Sequence, residues 1–219
     1  YSNQLTFETD SLFSFGNGVT DIDGNNYTTL IYGNGQEWMG ENLRVSKYSN
    51  GDQILNLQDS ILWQNASNGA WVHYNNDNQY DIPYGKLYNW YAVDDTRNVC
   101  PNGWHVPLVS EWDSLRSYID TSTINPNPND NLAGGKMSST NPQYWSSNSN
   151  STNETGFSAV GGGKRTTFSS FNVFSSFQVY AYFWTSEQST ATKAISLYII
   201  NGGSSLWINT SELQMKKEG

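Results

Sequence analysis

The stretch "CPNGWHVPLVSEW", residues 100–112, places the only cysteine, one of the two histidines and a glutamate within thirteen positions. These are the side chains from which nucleophiles, metal ligands and general bases are made, so the stretch is either an active site or architecture. A cysteine nucleophile needs its thiolate stabilised by a base that a third group orients. Pro101 and Gly103 dictate a turn between Cys100 and His105, and no spacing sets His73 or His105 against the thiol. A zinc site built from His73, Cys100, His105 and one acid has the bare minimum of ligands and no signature spacing. Glu111 has a plainer role as a first-turn acid near the positive end of a helix dipole. The stretch therefore reads as a turn that leads into a helix.

That helix is expected over Ser110–Ile119. Trp112, Leu115 and Ile119 stand at i, i+3 and i+7 and make one apolar face. Ser110 with Asp113 three residues on is the expected cap pair. The run "NPNPND" (125–130) ends the helix, because each proline restrains the residue before it. Upstream, β-rich runs on either side of Asp23-Gly24-Asn25 read as a hairpin, and Asn50-Gly51 as an exposed turn. Residues 63–82 read as an irregular surface excursion. The stretch 84–95, with Leu87, Trp90, Tyr91 and Val93 apolar, reads as a short helix. Residues 138–156 form a long polar loop, and everything from Gly156 onward has β character.

Composition sets the outer bounds. The 219 residues are 36% hydrophobic, yet nine Trp and fourteen Tyr supply large rings that fill a core economically. Asn and Ser make up about a quarter of the chain and favour turns over helices. An ordered, loop-rich, mostly non-helical domain is expected. The net charge of -9, without a basic patch, argues against nucleic acid and anionic membranes as partners. No run approaches the roughly 20 apolar residues of a membrane span. The opening "YSNQLTFE" reads as a mature or trimmed start. Asp21, Asp23 and Asn25 match the first, third and fifth positions of a calcium loop. Asn26 and Tyr32 stand where its glycine and bidentate glutamate belong, so a hairpin is preferred. No cofactor and no metal site is expected.

Five stretches occur in a fixed order: "VTDIDGNNYTTLIYGNGQEWMGENLRV" from Val19, "YGKLYNWYAV" from Tyr84, "CPNGWHVPLVSEWDSL" from Cys100, "ETGFSAVGGGKR" from Glu154 and "YFWTSEQ" from Tyr182. Together they resemble the Fibrobacter succinogenes major paralogous domain, over residues 19–219, with 1–18 as a lead-in. The resemblance implies a C-type-lectin-like α+β domain related to formylglycine-generating-enzyme-like domains. Small twisted antiparallel sheets, two or so short helices and extensive irregular loops are expected. It also implies an extracellular setting, secreted or cell-surface attached, and a structural role for Cys100, Pro101, Gly103, Trp104, His105 and Pro107, with the Trp112 ring in the core. Two departures stand out. Leu108 occupies the place of a small polar cap, which moves the expected cap to Ser110. Relatives also carry a terminal strand with a cysteine, which implies a partner for Cys100 beyond Gly219. A single cysteine does not supply the copper-holding pair of the formylglycine-generating branch. Asn125-Pro126-Asn127 and Trp207-Ile208-Asn209 only echo the calcium motifs of sugar-binding lectins, and lie too far apart to pair as those do.

The functional expectation is a non-catalytic binding or adhesion module, not an enzyme, whose partner is a carbohydrate or a surface protein. Alternatives are a diversified ligand-recognition protein of a diversity-generating retroelement and a structural spacer in a large surface protein. Calcium-dependent sugar binding is the minor variant. In the C-terminal third, rings alternate with short polar groups, giving rigid contact area beside adaptable hydrogen bonds. The residues expected to touch ligand are Trp184, Glu187, Asn201, Trp207 and Asn209, with Lys164 and Arg165 as anion anchors.

Overall fold

The computed structural model describes residues 11–121, 129–166 and 173–215. Five short strands come first: β1 (Phe13–Phe15), β2 (Val19–Thr20), β3 (Asn26–Tyr27), β4 (Thr29–Tyr32) and β5 (Glu37–Met39). β1, β4 and β5 form one antiparallel sheet in the order β1-β4-β5, and β2 pairs with β3. The expected hairpin at Asp23–Asn25 is present between β2 and β3. Asp21 organises it, accepting the backbone N–H groups of Asp23 and Asn25 at 2.9 Å and the Tyr27 hydroxyl at 2.6 Å. A short acceptor that bonds the backbone two residues on is what makes Asp a turn former.

The next elements are β6 (Leu55–Asn56), α1 (Ser60–Gln64), β7 (Ala70–Val72), α2 (Asp81–Tyr84), β8 (Leu87–Tyr88) and α3 (Trp90–Val93). β7 runs parallel to β6 and antiparallel to β8. Two expectations are corrected here. Residues 63–82 are a surface excursion only in part: Trp63, Ala70, Trp71 and Val72 are buried, while 64–68 and 73–82 are exposed or half-buried. A three-residue strand buried on both faces shows no alternation by which to recognise it. The helix expected over 84–95 shrinks to Trp90–Val93, since Leu87 and Tyr88 are extended. Fully buried Asn89 forces that boundary: its side chain accepts from Ala70 N and Ala92 N and donates to Asn68 O, tying strand to helix start.

The stretch from Cys100 forms a turn and then α4 (Val109–Ile119), with Trp112, Leu115, Arg116 and Ile119 buried. The cap expected at Ser110 is displaced. Leu108 is the N-cap residue and has no acceptor of its own, so acids from elsewhere satisfy the exposed donors. Glu111 accepts the Leu108 N–H at 2.8 Å and Glu187 accepts the Val109 N–H at 2.6 Å. Asp113 pairs instead with Arg116 at 2.7 Å.

Helix α5 (Ala133–Met137) comes next. The polar loop 138–156 is irregular as expected, anchored by buried Trp145, whose indole donates to Ala159 O at 3.0 Å. The C-terminal third is β in character, as expected. β9 (Lys164–Thr166) pairs with β10 (Val173–Ser175), and β11 (Tyr180–Thr190), β12 (Lys193–Ile200) and β13 (Leu206–Met215) form an antiparallel sheet. The fold is thus α+β, with several small, mostly antiparallel sheets and a few short helices. Among the described residues no helix is long and apolar enough to cross a membrane.

Two large apolar cores organise the molecule, with a smaller cluster around Trp63. The first core gathers Trp38, Trp112, Leu115, Phe157, Leu197 and Leu206 around α4, α5 and the inner face of the β11–β13 sheet. The second gathers Val45, Tyr48, Trp71, Tyr88, Val99 and Cys100. Strand β11, at the edge of its sheet, is stitched to the second half of the molecule. Trp90 Nε1 donates to Thr185 O at 3.0 Å, Trp184 Nε1 to Tyr88 O at 2.9 Å, and Ser186 N to Pro107 O at 3.0 Å.

Candidate ligand-binding cleft

Between the two cores lies a cleft of about 710 Å³. That volume falls in the roughly 300–1,000 Å³ range of small-molecule sites. One wall belongs to the first core, where Trp38 and Trp112 lie 4.5 Å apart between ring centres, and Phe183 lies 5.3 Å from Trp112. The facing wall carries Tyr88, Cys100, Trp104 and Val106 from the second core. Tyr84 and Tyr144, 6.0 Å apart and edge to face, also line it. All five sequence stretches that carry the family resemblance contribute to these walls. They do so through Trp38 and Met39, Tyr84 and Lys86, Cys100 and Trp104, Phe157 and Gly163, and Tyr182 to Trp184.

The polar groups of the cleft are mostly committed. Lys86 Nζ donates to Asp81 Oδ1 at 2.9 Å and sits 4.8 Å over the Trp71 ring. Asp81 also holds His73 at 2.9 Å. Burial opposes ionisation of Asp81, but the hydrogen bonds from Lys86 and His73 outweigh it and hold the carboxyl below its usual range. His105 Nε2 lies 3.0 Å from the Glu111 carboxylate. Two groups differ. Trp112 Nε1 and Ser196 Oγ are buried, belong to residues lining the cleft, and have no hydrogen-bond partner among the described residues.

Cys100 has none of the features of a nucleophile. Burial alone pushes its thiol up to about 12, and no imidazole contacts it, His105 being engaged by Glu111. Among the described residues no three His, Cys, Asp or Glu side chains gather as a metal-holding group.

Of the residues expected to touch ligand, the cleft brings together Trp184 and Lys164, the latter with its ammonium 5.2 Å from the Tyr182 ring centre. Glu187 stands beside it, occupied in capping α4. Trp207 lies instead on the outer face of the C-terminal sheet. There it is stacked on Tyr198 at 6.1 Å and continues a row through Tyr182 and Tyr180. Asn201 is in the β12–β13 turn, donating to Ser146 Oγ at 2.8 Å. The backbone of Asn209 pairs with Ser196 in the sheet. Arg165 is buried rather than poised for an anion. Its guanidinium donates to Leu57 O and Gln58 O at 2.8 and 3.0 Å and stacks 4.6 Å over Trp63. Burial lowers its pKa to about 10, against a weaker opposing pull from Asp59. Asn125-Pro126-Asn127 and Gly219 lie outside the described residues.

Trp38, Trp104, Trp112, Tyr84 and Ser196 are cleft residues that sequence reasoning does not single out as ligand contacts. The signal available for the four rings is their position inside the stretches that carry the resemblance; nothing in the sequence marks Ser196.

The fold and the cleft define a class: a ring-walled, loop-rich α+β domain. The model of the Fibrobacter succinogenes major domain matches residues 31–217, so the chain belongs to that family. No curated protein and no solved structure matches it.

Proposed function

We propose that the protein is a non-catalytic binding module of a secreted or cell-surface protein, that its ligand occupies the cleft between the two cores, and that the ligand is a carbohydrate. The observation that supports this most is the cleft itself, a cavity of about 710 Å³ walled by tryptophan and tyrosine rings, with polar side chains such as Glu37, Asn42, Lys86 and Lys164 set among them. Flat rings cover the C–H faces of a sugar, and scattered polar groups take its hydroxyls. The absence of an activated nucleophile at Cys100 favours binding over chemistry. A C-type-lectin-like ancestry is consistent with the small sheets and long loops and is part of the same proposal.

The test is a glycan-array screen of the folded domain, run with calcium and again with chelator. Selective binding is expected, weakened about tenfold or more in Trp104→Ala. Chelator sensitivity adds a calcium site to the reading. A loss in Trp207→Ala with Trp104→Ala unaffected moves the site to the outer ring row, which is the second reading that Tyr198 and Trp207 support. No binding by a folded sample overturns the carbohydrate reading in favour of protein recognition or a spacer role.

A further inference from the structure

We infer that the cleft continues onto the outer face of the C-terminal sheet as a strip of rings, and that its ligand is a single glycan chain longer than a disaccharide. This rests on the carbohydrate reading of the cleft. Strand register builds the strip. Tyr182 on β11 stands opposite Tyr198 on β12, and Tyr198 stands opposite Trp207 on β13, so one rank of rings crosses all three strands. Tyr180, two residues before Tyr182, adds a fourth ring to the same face. Their sequence neighbours Ala181, Leu197 and Leu206 point the other way, into the first core. Ring centres lie 6.1 Å apart from Tyr182 to Tyr198 and again from Tyr198 to Trp207, with Tyr180 5.3 Å from Tyr182. All four residues are half-buried, so each keeps surface that a ligand can touch.

Tyr182 joins the strip to the cleft, since it lines the cleft beneath Lys164 and is also the first ring of the rank. Cross-strand ring pairs steady a sheet. That role does not call for four contiguous rings on the face turned away from the core, where polar residues are the rule. A contiguous apolar patch at a surface marks a binding site. Each of these rings carries a polar tip, a tyrosine hydroxyl or an indole N–H, beside its apolar face. A sugar unit has the matching form, a C–H face bordered by hydroxyls. The tilt of the rings selects the form of the chain. Tyr180 and Tyr182 are nearly parallel, at 10°, as are Tyr198 and Trp207, at 3°, but Tyr182 and Tyr198 cross at 51°. Two parallel pairs set at that angle fit a single chain whose successive units rotate, not the flat face of a crystalline polysaccharide.

The experiment compares wild type, Trp104→Ala and Trp207→Ala by calorimetry against the disaccharides and hexasaccharides of the cello-, xylo-, manno- and malto- series. A thermal melt of each variant and a pull-down on microcrystalline cellulose accompany it. Wild type is expected to bind a hexasaccharide about tenfold more tightly than the matching disaccharide. Trp207→Ala is expected to cancel that gain and leave disaccharide affinity unchanged, whereas Trp104→Ala weakens both. Trp207→Thr keeps a strand-forming residue without a ring and supplies the same readout where the alanine variant melts early. Equal affinity of wild type for both lengths, or a hexasaccharide affinity untouched by loss of the Trp207 ring, overturns this inference and leaves the cleft reading standing. Loss of disaccharide binding in Trp207→Ala with Trp104→Ala unaffected places the whole site on the strip and overturns both. Preferential adsorption to crystalline cellulose overturns the single-chain form. Failure of wild type to bind any of these glycans overturns the inference together with the carbohydrate reading on which it rests.

Discussion

Arg165 and Lys164 are neighbours in sequence and opposites in role. Strand alternation in β9 sends Arg165 inward to fork onto two carbonyls beneath Trp63 and leaves Lys164 at the cleft. A three-residue strand gives no period from which to assign the two faces, which is why both basic residues read equally well as anion anchors. The surroundings of Cys100 are legible for the opposite reason: Pro101 and Gly103 announce a turn after it, and Trp104 N donates to Pro101 O at 2.9 Å to close one. The behaviour of Cys100 can be checked directly. With its thiol pushed up to about 12, the thiolate at pH 8 is only about one part in ten thousand. Native protein is therefore expected to resist iodoacetamide at pH 8 and to be labelled fully once unfolded. Rapid labelling of the folded form would show the thiol to be accessible and activated.

At the scale of elements, α4 is readable because its apolar residues repeat at helical spacing over three turns. Its cap is not, because one of the two acids that satisfy it comes from Glu187, 78 positions away along the chain. Helix α5 is invisible for a different reason: its five residues are AGGKM, and paired glycines argue against a helix. The glycines are there for contact. A Cβ on Gly134 would lie 2.3 Å from Ser205 O and 2.9 Å from Leu206 N, both backbone atoms of the chain entering β13. In an exposed helix Gly→Ala gains up to about 1 kcal/mol. Here the gain is outweighed by overpacking, which costs about 1–3 kcal/mol and cannot be relieved by a rotamer change. Gly134→Ala is expected to lower Tm by several degrees. An unchanged or higher Tm in a thermal melt would show that the helix and the strand are not in such close contact.

The whole molecule is two cores held face to face, and part of its response to acid is expected from charged groups around the second. Hydrogen bonds from Arg97 hold the Asp95 carboxyl at about 2, and Asp81 is also below its usual range. Carboxylates with depressed folded-state pKa values contribute stability that is fully present above about pH 4 and lost as pH falls through about 2. Because the Asp95–Arg97 pair is exposed to solvent, screening keeps its share small. Asp95→Asn is expected to flatten part of the fall in Tm between pH 4 and pH 2 while leaving pH 7 little changed. A parallel fall in both proteins would assign the acid sensitivity to other groups. The α+β class and the family are within reach of the sequence, since ordered motifs carry them. The cleft is not, because its walls are drawn from five separated stretches that only the packing of the two cores brings to one place.

The crossed indoles of Trp90 and Trp184 give that arrangement a built-in reporter. Each ring N–H is bonded to a carbonyl on the far side of the junction, one to Thr185 and one to Tyr88. Their protons exchange with solvent deuterium only when the junction opens, and they must do so together if the two halves part as rigid bodies. Two indole resonances with matched protection would measure how often the cleft opens, and unequal protection would show one side giving way first.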